Sequence, residues 1–104
     1  MSLLSITFHC EFDALNDWEQ YKNQSLKKVA SKIPQVKHYI LSDVETAMLQ
    51  EGKNTNLLLI FSDDHQRQLF LENELAYIQQ DIESVFQTKV LVFVTLLNPF
   101  ETTL

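Results

Sequence analysis

The chain opens on a strict alternation. Leu4, Ile6, Phe8, Cys10 and Phe12 share one parity, and Ser5, Thr7, His9 and Glu11 the other. Period two at this length predicts a half-buried strand over 4–12, with Met1 to Leu3 outside it. The period then changes. Leu15, Trp18, Leu26, Val29 and Ile33 recur at helical spacing, flanked by Tyr21 and Ala30. Asn16 suits the N-cap, with Glu19 completing a capping box and Asp17 at the positive end of the dipole. Lys27, Lys28 and Lys32 suit the other end, and Pro34 stops the helix. A weaker alternation over 36–44 sets Val36, His38, Ile40, Ser42 and Val44 against Lys37, Tyr39, Leu41 and Asp43. It predicts an edge strand, with Lys37 discouraging stray pairing. Residues 45–56 form a polar connection with the only glycine, Gly52, which is expected to take a positive φ. Leu57 to Phe61 is apolar on both parities, which suits a central strand. Ser62 or Asp63 caps a second helix, Asp63 pairing with Gln66. Its stripe is Leu71, Leu75, Ile78, Ile82 and Val85, and Glu72, Glu74, Gln79, Gln80 and Glu83 face water. The last strand, 89–97, is again apolar on both parities: Val90, Val92, Val94 and Leu96 against Leu91, Phe93 and Leu97. Such a strand needs both faces buried. Pro99 ends it.

The order is therefore β-α-β-β-α-β, the ferredoxin-like arrangement of the α+β class. Right-handed crossovers set both helices on one face of a four-stranded antiparallel sheet. Helices about 10–12 Å across, over strands about 4.8 Å apart, cover one face and no more. The second face would then carry Leu58, Ile60, Leu91, Phe93 and Leu97. A patch of that size is unsuited to water, and a second copy packed face to face is the simplest cover.

Composition narrows the function. One ordinary domain over 1–104 is expected, with 45% hydrophobic residues to build a core. One glycine and two prolines argue against a loop-rich or disordered chain. A net charge of −6 opposes nucleic acid and anionic membranes, which both need cationic surface. A single cysteine forbids an intrachain disulfide and fits the cytoplasm. No signal peptide is read at the start, and the longest apolar run is far too short to span a bilayer.

The alternating Ser5-Ile6-Thr7-Phe8, the Asp17-Trp18 helix start, the Ile33-Pro34 and Val36 lead into the second strand, and the closing Val92-Phe93-Val94-Thr95-Leu96-Leu97 together resemble the dimeric α/β-barrel superfamily. Within it the chain is similar to an uncharacterised bacterial family of about hundred-residue proteins catalogued as a domain of unknown function. At 37–39, Lys37-His38-Tyr39 replaces the family's glycine–aromatic pattern. The resemblance covers nearly the whole chain and implies the fold and a homodimer. It supplies no activity, cofactor or site residue.

Candidate chemistry centres on His9 and Glu11, two residues apart on the polar face of the first strand. A histidine beside a carboxylate can act as a general base near neutral pH. Related barrels carry out cofactor-independent oxygenase or isomerase chemistry on small organic molecules in such clefts; that comes with the resemblance alone. The alternative is a hydrogen-bonded dimer interior built from His9, Glu11, Ser5 and Thr7. His9, His38 and His65 lack metal-ligand spacing, with strand three between His9 and His38, so no metal site is expected. Cys10 reads as a buried, inert thiol. Trp18 and Tyr21 read as core, although they could floor a ligand pocket. The topology is shared with RNA-recognition domains, but the third strand lacks their aromatics and basic neighbours. The leading expectation is a homodimeric module that binds a small molecule or a partner without a cofactor, and the second is a cofactor-free barrel enzyme.

Overall fold

The computed structural model describes residues 1–45 and 52–104. Four strands, β1 (Ser2–Glu11), β2 (Val36–Asp43), β3 (Gly52–Phe61) and β4 (Val90–Leu97), form one antiparallel sheet in the order β2-β3-β1-β4. Between β1 and β2 run α1 (Leu15–Tyr21) and α2 (Lys27–Ser31), and between β3 and β4 run α3 (Asp64–Glu72) and α4 (Glu74–Phe86). The fold is ferredoxin-like α+β, with the helices on one face.

Alternation places the core. Leu4, Ile6, Phe8 and Cys10 of β1 and Leu57, Leu59 and Phe61 of β3 point at the helices and are buried. The helices answer with Trp18, Tyr21, Leu26, Ala30, Phe70, Ile78, Ile82 and Phe86. Trp18 is the hub. Its ring stacks on Tyr21 at 5.6 Å and meets Phe8 and Phe86 at 5.4 and 5.5 Å, while Nε1–H donates to Thr55 Oγ1 at 3.1 Å. Trp18 and Tyr21 thus belong to the core.

The first helix departs from its simple reading. Asn16 lies inside α1, after a short 3-10 turn over Phe12–Ala14, and Ala14 occupies the cap without a side-chain bond. Phe12 sits in that turn and is exposed, because β1 already ends at Glu11. A π-turn over Lys22–Leu26 joins α1 to α2. Trp18, Lys22, Leu26 and Ala30 repeat every four residues, which would drift around an α-helix; the wider π-turn keeps them all buried on one face. Lys22 is thereby drawn inward, to 2.6 Å from Glu19 and 2.7 Å from Asp43.

The second helical stretch starts as expected, with Asp63 accepting from the Gln66 N–H at 2.9 Å. It breaks at Asn73, and the break re-phases the stripe. Phe70, Ile78, Ile82 and Phe86 are buried, Leu71 and Leu75 pack at the margin, and Val85 is exposed. Gln87 turns the chain from α4 towards β4 with φ 55°, a conformation uncommon outside glycine.

The edge strands bring one correction. β2 is an edge strand as expected, but a bulge between Val36 and His38 moves Val36 onto the helix face with Tyr39 and Leu41. β4, apolar on both parities, is the other edge strand, as the ferredoxin-like order requires. Its apolar outer parity has no second layer over it.

Gly52 is not a positive-φ turn residue; it begins β3, which starts well before Leu57. The connection's middle, 46–51, lies outside the described residues. What requires glycine is closeness: a Cβ at Gly52 would lie 2.1 Å from the Cys10 carbonyl oxygen. Gly52→Ala must push the two strands apart, at a cost of about 1–3 kcal/mol measured by urea unfolding.

Candidate functional site

The face away from the helices is built from the other parity of each strand. Its cross-strand rows follow from the register: His38–Ile60–Leu3–Leu97, then Ile40–Leu58–Ser5–Thr95, then Ser42–Asn56–Thr7–Phe93, then Asn54–His9–Leu91, with Gly52 and Glu11 beyond. One end is apolar and the opposite end is polar. Ile40, Leu91, Phe93 and Leu97 are 52, 47, 54 and 40% exposed, while Leu58 is half-buried.

The polar part is a side-chain ladder between the two central strands. Asn56 Nδ2 donates to Ser5 Oγ at 2.7 Å and to Thr7 Oγ1 at 3.3 Å. One row on, His9 Nδ1 lies 2.6 Å from Asn54 Oδ1, a spacing at which the imidazole N–H donates to the amide oxygen. The Asn54 bond therefore orients the ring. With Nδ1 the donor, a neutral ring leaves Nε2 free to accept a proton.

His9 and Glu11 both lie on this face, each with its own partner. Glu11 is exposed at the sheet margin and pairs with Lys89 at 3.3 Å. Lys89 also holds Asp13 at 2.5 Å, and its hydrogen bond keeps the Asp13 carboxyl below the usual range. His38 is exposed on β2 and His65 in the first turn of α3. No group of histidine, cysteine, aspartate or glutamate among the described residues could hold a metal ion. Cys10 faces the helices; burial first, then the charges of Asp13, Glu11 and Glu19, push its thiol up to about 11, so it is no nucleophile near neutral pH.

Three contributors escaped the sequence reading. Asn54 and Asn56 looked like loop residues, yet the alternation Asn54, Asn56, Leu58, Ile60 runs back from the apolar core of β3 and marks them as strand. Arg67 is buried under the sheet end, where Nη1 donates to the Leu3 and Leu97 carbonyls at 3.0 and 3.1 Å. It fixes the register of β1 against β4 where the chain leaves the sheet. Lys22 heads the third group, with Glu19, Asp43 and Lys53. Burial opposes the Lys22 charge, but hydrogen bonds to Asp43 and Glu19 outweigh it and hold its pKa above the ordinary lysine value. Hydrogen bonds to Lys22 likewise lower Glu19 and Asp43. A lowered carboxyl stabilises the fold above its unfolded pKa and loses that contribution as pH falls through its folded value. Acid unfolding of the wild type is therefore expected to gain a component below about pH 4.5, the ordinary glutamate value, that is smaller in Lys22→Met, where only Lys53 still pairs with Glu19.

A groove of about 830 Å³ runs between α4 and the outer edge of β4, and a hollow of about 440 Å³ lies beside Lys22 and Thr55. Neither is lined by His9 or Glu11. Within one chain the polar ladder is an open surface, and a chamber over it needs another wall.

Three solved structures show what the chain is similar to in fold. An ethyl tert-butyl ether d (EthD) family protein from Bacillus halodurans matches with TM-score 0.66 at 9% identity, over 91% of this chain and 97% of that one. SnoaB, a cofactor-independent oxygenase from Streptomyces nogalater, matches with TM-score 0.62 at 8% identity, over 98% and 96%. A dimeric ferredoxin-like protein from an uncultured marine organism matches with TM-score 0.52 at 12% identity, over 98% of each. What the chain shares with them is the ferredoxin-like α+β fold. Comparison with curated proteins finds no match. Residues 1–100 match the profile of DUF4286, described as a domain of unknown function.

Proposed function

We propose, from the premise that the chain belongs to the DUF4286 family, that it works as a homodimeric binding module in the cytoplasm. Two open sheet faces meet and enclose a chamber for a small organic molecule. The observation that carries this reading is the division of the open face. An apolar end and an apolar β4 margin flank a ladder of Ser5, Thr7, His9, Asn54 and Asn56 whose side chains bond one another. The apolar part suits contact between copies; the ladder offers convergent donors and acceptors, the usual lining of a ligand site. The face is about 19 Å wide and about 27–33 Å long, an area of about 510–630 Å², which clears the roughly 500 Å² per partner that a specific interface needs. No helix among the described residues is long and apolar enough to cross a membrane.

The test is a thermal-shift series with hydroxylated aromatic compounds and quinones, run on the wild type and Asn56→Leu. A compound that raises the wild-type midpoint in proportion to log concentration, and not that of Asn56→Leu, supports the chamber. Loss of the wild-type response across the series removes the small-molecule reading.

One observation favours a second reading, a cofactor-independent oxygenase. His9 is oriented by Asn54 and can accept a proton from an acidic phenol, with Glu11 as the nearby carboxylate on the same face. Oxygen consumption with an electron-rich phenol that falls at least tenfold in His9→Ala, with dimer mass and stability unchanged, selects it. Unfolding of His9→Ala makes His9 structural instead.

A further inference from the structure

The helix side of the molecule carries a groove that its own side chains do not complete. Two hollows of about 300 Å³ each lie between α2 and α4 and share Val29, Tyr77 and Ile78. One reaches Lys28, Lys32 and Glu74, the other Tyr21 and Asp81. Glu74 Oε2 is buried there without a hydrogen-bond partner. We infer that this groove binds a free α-amino acid with a large apolar side chain. Glu74 takes its ammonium, Lys28 and Lys32 take its carboxylate, and the apolar floor takes its side chain.

Helical spacing builds the groove. On α2 and the turn that ends it, Val29 and Ile33 stand four positions apart and form the floor. Lys28 and Lys32, also four apart, make an exposed cationic rim beside them. On α4, Glu74 and Ile78 lie one turn apart on the opposite wall, and the exposed Tyr77 adds its ring to the rim. One end of the groove therefore carries both signs of charge, and the rest is hydrocarbon.

A carboxylate oxygen taken out of water needs a donor, because an unpaired buried charge is costly. Asp81, the other carboxylate of the groove, accepts from the Tyr21 hydroxyl at 2.5 Å. Glu74 Oε2 has no such donor among the described residues. The other buried side-chain atom without a partner is also an acceptor, Gln35 Oε1, two residues past Ile33. What this end of the molecule lacks is a donor. Lys28 and Lys32 line the same hollow, yet neither is paired with a carboxylate among the described residues. A simple amine would satisfy Glu74 but face the two lysines, and a simple acid would do the reverse. A molecule with both charges at one end and hydrocarbon at the other satisfies every group, and an α-amino acid is the smallest of that kind. Each hollow is at the lower end of ligand-site volumes, and the second leaves room for the side chain.

Isothermal titration calorimetry of the full chain with L-leucine and L-phenylalanine tests the site. The wild type is expected to bind them. Glu74→Gln, and the double change Lys28→Met with Lys32→Met, should each weaken binding at least about tenfold, the loss of a charge-assisted contact. The lysines are exposed and Glu74 Oε2 has no partner to lose, so the variants keep the wild-type circular dichroism. Isoamylamine and isocaproate, which are leucine without its carboxylate and without its ammonium, should each bind at least about tenfold more weakly than leucine. Flat titrations of the wild type with both amino acids overturn the proposal, as does binding that the variants leave unchanged. An amine or an acid that matches leucine overturns recognition of both charges. The groove lies on the helix side, so every one of these outcomes is independent of whether the open sheet faces pair.

Discussion

Trp18→Ala is expected to remove about 3–5 kcal/mol of folding stability, the cost of deleting a buried large aromatic. Trp18 is fully buried at the junction of Phe8, Tyr21 and Phe86, and its indole N–H is the partner of Thr55. Deletion leaves a cavity between β1, α1 and α4 and strands a buried hydroxyl. For a domain near a hundred residues the melting midpoint should fall by roughly 12–40 °C. Trp18→Phe keeps most of the packing and should cost less, chiefly through the lost Thr55 bond. Tyr21→Phe removes only the hydroxyl that donates to Asp81 at 2.5 Å, and should cost about 1 kcal/mol. Chemical unfolding of the three variants checks the order. Equal losses in all three would mean that the aromatic cluster does not work as one unit around Trp18.

Leu58→Glu should do little to the fold of one copy and abolish the dimer. Leu58 sits on the open face between Ile40 and Ser5, in the central strand β3, away from the helix-side core. Two-fold symmetry puts the new carboxylate into the interface twice, next to apolar surface and without a cation in its row. Desolvating each charge costs several kcal/mol, so dissociation should rise by at least about a thousandfold. The same substitution at exposed Val85, on the outer side of α4, should leave association unchanged. Gel filtration at matched concentrations reads both. Retention of the dimer by Leu58→Glu would move the interface to another surface.

Most of the fold is legible in the residues because period and burial agree. Alternation over Leu4 to Cys10, the Asp63 cap and the order of the elements all hold in the structure. Where the reading fails, a local irregularity has shifted the phase. The π-turn at Lys22–Leu26 holds a four-residue repeat that no straight α-helix would keep on one face. The break at Asn73 exchanges Val85 for Phe86, and the bulge at Val36 carries that side chain across the sheet. Gly52 answers to the Cys10 carbonyl, a contact between residues 42 positions apart that no local pattern encodes. The double apolarity of β4 asks for burial on both faces, while the helices of this chain cover only one of them.

The candidate site was half legible. Alternation put His9 and Glu11 on the open face, but polar neighbours in a strand look like loop residues until the register is known. Asn54 and Asn56, which bond His9, Ser5 and Thr7, were hidden for that reason. The partner of Glu11 is set by the turn that brings Lys89 alongside, again a long-range fact.

Light scattering of the wild type across a range of concentrations and two salt levels tests the central claim most directly. The account predicts a mass near twice 12.2 kDa that persists at high salt, since apolar contact dominates the interface. A mass that stays at 12.2 kDa would mean that the open face is not paired with a second copy, and the chamber over His9, Asn54 and Asn56 would not exist.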